Sequence, residues 1–379
     1  MKKKWITGIL AAAVIGIVAG TAFCKSDAHQ DDTQVANNEN LTVEERAEKI
    51  VAKMSDAQKV GQLMMIGIQG TALDADGRYM LTEFPCGNLI LFDRNMETAE
   101  QVKKLTQDMQ RTVKETTGVP ALIGIDQEGG EVMRMRQYLP DMPSAEALGQ
   151  ESPEAAHDWA VKTGTALYDL GININFAPVV DLDGAYHRSY GKTPEEVVPY
   201  AKAVIQGYTE TGLFTSLKHF PGIGKVKTDP HIDGDVVTLT REELNVEDGK
   251  PFRDLIQSMN QGRTFIMVSN VTFPNVDADN PACLSRIIMT DILRNEYGYR
   301  GLILSDDMEM GAMAKHYDFG EMGVRAIEAG ADMVLVCHDY GHEQEVYNGL
   351  LKAYHDGRMD KSVVDEKVRR IIQTKLQYL

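Results

Sequence analysis

Short apolar runs that read as buried β-strands recur along the chain, and stretches with helical periodicity separate them. Strands are predicted at Met64–Ile68, Asn88–Phe92, Ala121–Asp126, Asn173–Val180, Thr215–Phe220, Thr264–Ser269, Leu302–Ser305 and Met333–Cys337. Helices are predicted at Thr42–Met54, Thr98–Glu115, Pro153–Asp169, Pro194–Thr211, Arg241–Asn260, Ser285–Glu296, Gly311–Ala329 and Lys361–Tyr378. Eight strands that alternate with helices predict an α/β fold, namely a single-domain (β/α)8 TIM-like barrel.

Polar side chains stand where several of these predicted strands end. They are Asp126, Asp181, Lys218, Ser269, Asp306 and His338. Because the active site of such a barrel lies at the C-terminal ends of its strands, these side chains are expected on one functional face.

The segment from Thr215 to His231 carries the densest group of chemically active residues. Its strand ends in Lys218 and His219, and a loop rich in proline and glycine leads to Asp229 and His231. Across Pro230 the carboxylate and the imidazole can lie on one side of an extended chain, as a general acid/base requires. The same triplet is also typical of a solvated turn, so the pattern alone leaves both interpretations open.

A second acidic group follows the strand at Leu302–Ser305, where the sequence continues Asp306–Asp307–Met308. Paired acids at the end of a buried strand are costly without a role, so a reactive carboxylate is one interpretation. An N-cap for the following helix is the second interpretation, and the two acids could divide these tasks.

Several ordered motifs resemble the bacterial β-N-acetylglucosaminidases (β-N-acetylhexosaminidases) of glycoside hydrolase family 3. The motifs are KHFPG at 218–222 with Asp229 and His231, SDDMEMGAM at 305–313, DQEGGEVMR at 126–134, GNLILFDRN at 87–95, ININFAPVVD at 172–181, HRSYG at 187–191, PACLS at 281–285 and AIEAGADMVLVC at 326–337. The resemblance runs from about residue 42 to the end of the chain, and it implies the same barrel fold.

The resemblance also implies roles for individual residues. Asp306 matches the nucleophile, His231 the acid/base and Asp229 its dyad partner. The residues that match the sugar-binding set are Asp126, Arg134, Arg188, Lys218 and His219. Three positions depart from the family pattern, which often has His at Ile223, His at Asn270 and Arg at Glu131.

The first 24 residues have the pattern of an export signal, with lysines at positions 2 to 4 and then the apolar run Ile9–Ala19. Lipid modification of Cys24 and ordinary cleavage nearby both stay open, because Phe23 is bulky where lipidated sites normally have a small residue. Residues 25–40 are polar and predict a flexible linker, and residues 41–379 form the predicted barrel domain. We therefore expect an exported protein that is periplasmic, secreted or attached to the membrane only through a lipidated Cys24.

Composition limits the classes of molecule that the protein is expected to bind. A net charge of -17 disfavours nucleic acid as a binding partner. The four cysteines, at positions 24, 86, 283 and 337, lack metal-ligand spacing, and Cys86 and Cys337 are expected in the core. We expect neither a metal nor an organic cofactor, and we expect a monomer.

The resemblance implies a retaining exo-glycosidase that removes terminal β-linked N-acetylglucosamine from peptidoglycan fragments or chitin-type oligosaccharides. Its partner would therefore be a carbohydrate. A phosphorylase or a β-glucosidase of the same family is the alternative among enzymes, and an exported glycan-binding lipoprotein is the alternative outside them.

Overall fold

Eight parallel strands close into a barrel in the computed structural model of this protein, which describes residues 41–184, 187–226 and 236–379. The strands are β1 (Met64–Ile66), β2 (Asn88–Leu91), β3 (Leu122–Ile125), β4 (Gln127–Gly129), β5 (Val132–Met133), β6 (Ile174–Asn175), β7 (Phe214–Phe220), β8 (Thr264–Val268), β9 (Ile303–Asp307) and β10 (Met333–Val336). Strands β4 and β5 form a separate antiparallel hairpin, and the other eight follow one another around the barrel in chain order.

The predicted (β/α)8 barrel is confirmed, since each of the eight predicted strands supplies one barrel strand. The ring closes at β1, where Met65 is paired with Leu335 of β10 and with Asn88 of β2. Buried aliphatic side chains dominate the strands, for example Leu89, Ile123 and Ile266. Such continuous apolar runs are typical of parallel strands covered by helices.

Thirteen helices are described around the barrel. They are α1 (Val43–Lys53), α2 (Asp56–Gln62), α3 (Ala75–Glu83), α4 (Ala99–Thr117), α5 (Ala145–Gly149), α6 (Pro153–Asp169), α7 (Pro194–Glu210), α8 (Arg241–Val246), α9 (Lys250–Ile256), α10 (Gly311–Ala314), α11 (Phe319–Ala329), α12 (Tyr340–His355) and α13 (Lys361–Tyr378). A π-helix spans Ile287–Glu296, and short 3-10 helices span Asp93–Asn95 and Ala282–Leu284. Thr98, Ser152 and Thr193 cap α4, α6 and α7 through their hydroxyl groups, a contribution of about 1 kcal/mol each.

Three predicted elements need correction. The predicted helix Arg241–Asn260 is two helices, because Pro251 lacks an amide hydrogen and stands in the first turn of α9. The predicted helix Gly311–Ala329 also divides, since the side chain of Asp318 caps a new start at α11. The predicted strand Asn173–Val180 shortens to β6, and beyond Pro178 only an isolated bridge from Val179 to Lys218 continues it.

Helices α2, α3 and α12 and the β4–β5 hairpin were not predicted. Helix α3 shows why, because it buries only Gly77, Met80 and Leu81 and so has a weak apolar periodicity. Residues 1–24 and 25–40, where the export signal and the linker are predicted, lie outside the described residues. Within the described part of the chain, every helix is too short or too polar to cross a membrane.

Candidate active site

A cavity of about 910 Å³ opens at the carboxyl ends of the barrel strands. The predicted site residues that line it are Asp126, Arg134, Arg188, His219 and Asp306. Three come from segments that follow β3, β5 and β6, and His219 and Asp306 lie in the last residues of β7 and β9, so the barrel gathers side chains that lie far apart in the sequence. Asp181 and His338 line the same cavity, as expected for one functional face.

Asp306 lies at the end of β9 and faces this cavity. Its Oδ1 accepts a hydrogen bond of 2.9 Å from the backbone N–H of Asp307. Burial raises the pKa of Asp306 above its ordinary value, while the hydrogen bond from Asp307 and the charge of Lys218 oppose that rise. Neither Asp306 nor Asp307 is an N-cap, because both belong to β9 and Met310 precedes the next helix.

Lys218 joins the buried Glu128 and the partly exposed Asp126 beneath the cavity. Its Nζ lies 2.6 Å from Asp126 Oδ1 and 2.7 Å from Glu128 Oε1. The two acids raise the pKa of Lys218 although burial alone would lower it. The ammonium group is therefore held charged at a fixed position.

Glu128 is a site residue that the sequence analysis missed. Its carboxylate also accepts two hydrogen bonds of 2.8 Å from Arg188, in a bidentate pair. Burial raises the pKa of Glu128, but the charges of Arg188 and Lys218 outweigh it and hold that pKa far below its usual range. The signal was present, because Glu128 stands two residues after Asp126 in extended chain and so shares its side.

Asp181 anchors the turn that carries His219. Its Oδ2 lies 2.8 Å from His219 Nδ1, while its Oδ1 accepts hydrogen bonds from the backbone N–H groups of His219 and Ile223. The second imidazole nitrogen, Nε2, faces Arg188 at 3.4 Å. The carboxylate thus fixes both the ring and the backbone of this segment.

Arg134 extends the site toward solvent from the end of β5. Its guanidinium lies 3.8 Å from Asp126 and 3.6 Å from Asp93, between a buried acid and an exposed one. The same group is 5.6 Å from the centre of the Phe92 ring. Arg134 is therefore placed to contact a molecule in the cavity, but its contacts are looser than those of Arg188.

The predicted dyad Asp229 and His231 lies outside the described residues. The described chain stops at Val226, which lines the cavity, and resumes at Val236. Just before Val226, Gly222 and Gly224 allow the backbone of the loop to pack closely against neighbouring residues. A Cβ atom at Gly224 would lie 1.6 Å from the carbonyl oxygen of Leu182, and one at Gly222 would lie 2.6 Å from Asp248 Cβ.

The positions that depart from the family pattern have distinct surroundings. Ile223 lines the cavity, and Asn270 donates a 2.7 Å hydrogen bond to the carbonyl oxygen of Asp307. Asn270 thus supports the strand end that carries the neighbouring Asp306. Glu131 is exposed at the mouth of the cavity, in the turn between β4 and β5.

Asp307, Cys337 and His338 form a possible metal-ligand group, with one ligand atom of each within 4.8 Å of the others. Arg94 Nη1 lies 3.1 Å from His338 Nδ1, and Asp307 Oδ2 lies 3.1 Å from His338 Nε2. Because arginine only donates, Nδ1 must accept and Nε2 carries the proton toward Asp307. Burial also raises the pKa of the Cys337 thiol well above its usual value, which opposes the deprotonation that metal binding requires. The three residues are therefore better suited to the contacts of His338 with Asp307 and Arg94 than to a metal ion.

The prediction that Cys86 and Cys337 lie in the core is confirmed. Cys86 and Cys337 are buried, and so is Cys283. His187 is exposed beside Glu146, and His338 lies at the rim of the cavity with 45% of its side chain exposed.

Comparison with known proteins identifies the class. Residues 56–374 match the model of the glycosyl hydrolase family 3 N terminal domain. A protein named beta-hexosaminidase from Idiomarina loihiensis is 34% identical over 299 residues, which span 76% of this chain and 88% of that protein. The chain therefore belongs to glycoside hydrolase family 3 and is a glycoside hydrolase, as the motifs indicated.

Solved structures agree with this assignment. A glycoside hydrolase family 3 beta-N-acetylglucosaminidase from Paenibacillus sp. FPU-7 matches with a TM-score of 0.82 and 37% identity, over 86% of this chain. The match covers 63% of that protein, which is less than two thirds of its length. A beta-N-acetylhexosaminidase from Beutenbergia cavernae matches with a TM-score of 0.80 and 29% identity, over 86% of this chain and 99% of that one.

Proposed function

We propose that this glycoside hydrolase is a retaining β-N-acetylglucosaminidase that removes terminal β-linked N-acetylglucosamine from peptidoglycan fragments or chitin-type oligosaccharides. One observation carries the proposal: Asp306 faces a cavity lined by Asp126, Arg134, Arg188 and His219 of the matched sugar-binding set, and Lys218, the fifth member, contacts Asp126 from behind. The names of the related enzymes support the same sugar.

Asp306 is the proposed nucleophile. Its carboxylate attacks the anomeric carbon, and the bond to the leaving oxygen breaks as a covalent glycosyl-enzyme forms. Water then attacks the same carbon and releases the sugar with its original configuration. The position of Asp306 at a rigid strand end favours this role, because a nucleophile must be held in line with the reacting carbon.

His231 is the proposed acid/base, with Asp229 as its partner. His231 gives a proton to the leaving oxygen and later takes one from the attacking water. This assignment rests on the sequence resemblance. We expect His231→Ala to slow substrates with poor leaving groups far more than activated aryl glycosides, because only the former need protonation; equal losses on both would contradict the role.

The proposed site for the terminal sugar is built from five side chains. They are Asp126, Arg134, Arg188, Lys218 and His219. Carboxylate, guanidinium and ammonium groups can hold sugar hydroxyls with directional hydrogen bonds, and the arginines also offer planar donor pairs. Glu128 does not need to touch the sugar, since it positions Arg188 and Lys218 from below.

Hydrolysis is favoured over phosphorolysis by the charge of the cavity. A histidine that has given up its proton is neutral and would not repel phosphate, which keeps a phosphorylase open as a second candidate. Eight of the described residues that line the cavity are acidic and three are arginines, however. Such a wall favours neutral water over a phosphate dianion as the acceptor.

A glycan-binding protein without catalysis and a β-glucosidase receive less support. A catalytically silent protein has no need for an acid with a raised pKa at a strand end, which is the environment of Asp306. A β-glucosidase remains distinguishable by its sugar preference. We further propose that the protein acts outside the cytoplasmic membrane as a monomer; the sequence of residues 1–24 supports the location.

The experiment that tests the proposed function is release of 4-nitrophenol from its β-N-acetylglucosaminide and its β-glucoside, each with and without phosphate. We expect turnover of the N-acetylated sugar that phosphate does not change. Preference for the plain glucoside would make the enzyme a β-glucosidase, and strong stimulation by phosphate would make it a phosphorylase. Silence on both sugars would overturn the proposal.

A further inference from the structure

The lining of the cavity divides into two parts that differ in exposure and in charge balance. In the inner part, Glu128, Lys218 and His219 have at most 7% of their side chains exposed, and each faces a charged partner. The outer part holds Asp93, which is 68% exposed, and the exposed Glu131. Bound sugar in the inner part would leave its aglycone beside the outer part.

The described arginines that line the cavity already contact protein groups. Arg94 donates to the carbonyl oxygens of Ile68 and Cys337, and its third contact is with His338. Arg134 lies between Asp93 and Asp126. Within the described residues, therefore, Arg94 and Arg188 are paired with protein groups and Arg134 is assigned to the terminal sugar, which leaves no described arginine for an anionic aglycone.

Glu131 differs from these arginines in its lack of a partner among the described residues. It lines the mouth of the cavity and is exposed, and it has no hydrogen bond or ion pair with any residue in the described ranges. Glu309, another acid of the lining, is instead committed through the N–H groups of Cys337 and His338 and through the His342 ring. Among the described residues, Glu131 thus has no cationic partner at the mouth of the cavity, where the aglycone would emerge.

Apolar groups line the same cavity as Glu131. Val132, Val226, Met310 and Phe92 line the same outer region and are each partly exposed. A pyranose ring presents C–H faces that suit such a wall, while its substituents reach the charged rim. The outer part combines a surface for a sugar ring with an acidic edge.

We infer that the outer part of the cavity selects the aglycone by charge, favouring an amino sugar with a free ammonium group over a sugar that carries a carboxylate. The inference rests on the proposed function and sharpens its substrate class. Among the two expected sources of terminal N-acetylglucosamine, it favours partly deacetylated chitin-type oligosaccharides over muramic-acid fragments of peptidoglycan. Glu131 is the residue assigned to this discrimination.

The test compares three disaccharides with N-acetylglucosamine at the non-reducing end, whose second sugar is glucosamine, N-acetylglucosamine or N-acetylmuramic acid. Values of kcat/KM are measured at about pH 6, where an amine of this kind is protonated and a carboxylate is ionised. Each is measured at about 20 mM and about 500 mM NaCl, because salt screens exposed charges. The variants are Glu131→Gln and Glu131→Lys, and Glu83→Gln at the opposite end of the barrel is the matched control.

We expect the wild-type enzyme to prefer the glucosamine compound over the muramic compound at low salt, and to lose most of that preference at high salt. Glu131→Gln should reduce the ratio about threefold, as expected for one charge at the water-exposed rim, and Glu131→Lys should reduce it further. Glu83→Gln should leave the ratio unchanged. Turnover of the 4-nitrophenyl glycoside, whose aglycone is neutral, should stay the same in Glu83→Gln.

A ratio that neither salt nor the Glu131 variants change would overturn the inference, and so would a wild-type preference for the muramic compound. Either result would leave the proposed glycosidase activity standing. An enzyme that is inactive on all three disaccharides and on the aryl glycoside would instead overturn the proposed function, and the inference with it.

Discussion

The two ends of the barrel both bury charged side chains, but they use them differently. At the carboxyl ends of the strands, Lys218, Glu128 and Arg188 form a network beside a cavity of about 910 Å³. At the opposite end, Asp332 is fully buried just before β10 and pairs with Arg294 and Arg370.

The backbone contacts show what the difference means. Asp332 accepts a hydrogen bond of 2.8 Å from the first N–H of β9, and Lys375 donates to the carbonyl oxygen of Gly87 just before β2. These charges tie the outer helices to the strand starts. The charges at the cavity end keep polar atoms directed at a space that a sugar can enter. One end therefore serves mainly stability and the other mainly catalysis, as expected for this fold.

The strongest test of this contrast is Asp306→Ala at the cavity end. Removal of the proposed nucleophile should lower kcat by about 10⁴-fold or more, because the covalent step would be lost. The variant should unfold at the same temperature as the wild type or above it, since a carboxylate that burial disfavours has been removed. Substantial residual glycosidase activity would mean that the nucleophile is another residue.

Glu128→Gln should have the next largest effect. The amide keeps the size of the side chain but removes the charge that holds Arg188 and Lys218, so kcat/KM should fall by about 10²-fold. We expect kcat/KM on the N-acetylglucosaminide to fall even at temperatures where the variant stays folded. Glu83→Gln is the neutral control and should leave kcat/KM unchanged. Unchanged kinetics together with a lowered unfolding temperature would make Glu128 a purely structural residue.

Asp332→Asn should lower the stability and leave catalysis almost unchanged, which is the opposite of the result expected for Glu128→Gln. It leaves the partly buried Arg294 without its counter-ion and Arg370 with only Glu366, and should lower the free energy of unfolding by about 3 kcal/mol. At a temperature where the variant stays folded, its kcat should lie within about twofold of the wild type. Denaturant unfolding and steady-state kinetics on one preparation check both halves, and a large loss of kcat in folded protein would contradict the division between the ends.

The smallest expected effect concerns pH. Asp306 must be ionised to attack, so activity should fall as the pH drops through its raised pKa. The positive charge of Lys218 opposes that rise, so Lys218→Met should move the acidic limb of the kcat/KM profile to higher pH. A limb that stays in place, or moves to lower pH, would show that Lys218 does not act on Asp306 electrostatically.

Much of the fold could be predicted because the barrel strands are buried on both faces and leave long apolar runs. Prediction failed where a break depends on one residue inside a helical pattern, as at Pro251 and Asp318. It also failed for β6, which ends earlier than its apolar run because Pro178 interrupts the ladder.

The site could be predicted only where local motifs marked it. The resemblance supplied Asp126 and Lys218, but their contact joins residues 92 positions apart, which spacing cannot reveal. Glu128 lay inside a recognised motif, yet its importance depends on Arg188 arriving from a distant loop. The pairing of His338 with Asp307 and Arg94 is equally non-local.

The account depends most directly on Asp306 as the group that bonds to the sugar. The deciding measurement is mass spectrometry of the enzyme after reaction with an activated N-acetylglucosaminyl donor whose ring fluorine slows release of the covalent intermediate. Trypsin cleavage after Arg300 and Lys315 isolates residues 301–315, which carry Asp306, Asp307 and Glu309. We predict a single sugar on this peptide that fragmentation places on Asp306; a sugar on another residue, or on a different peptide, would contradict the account.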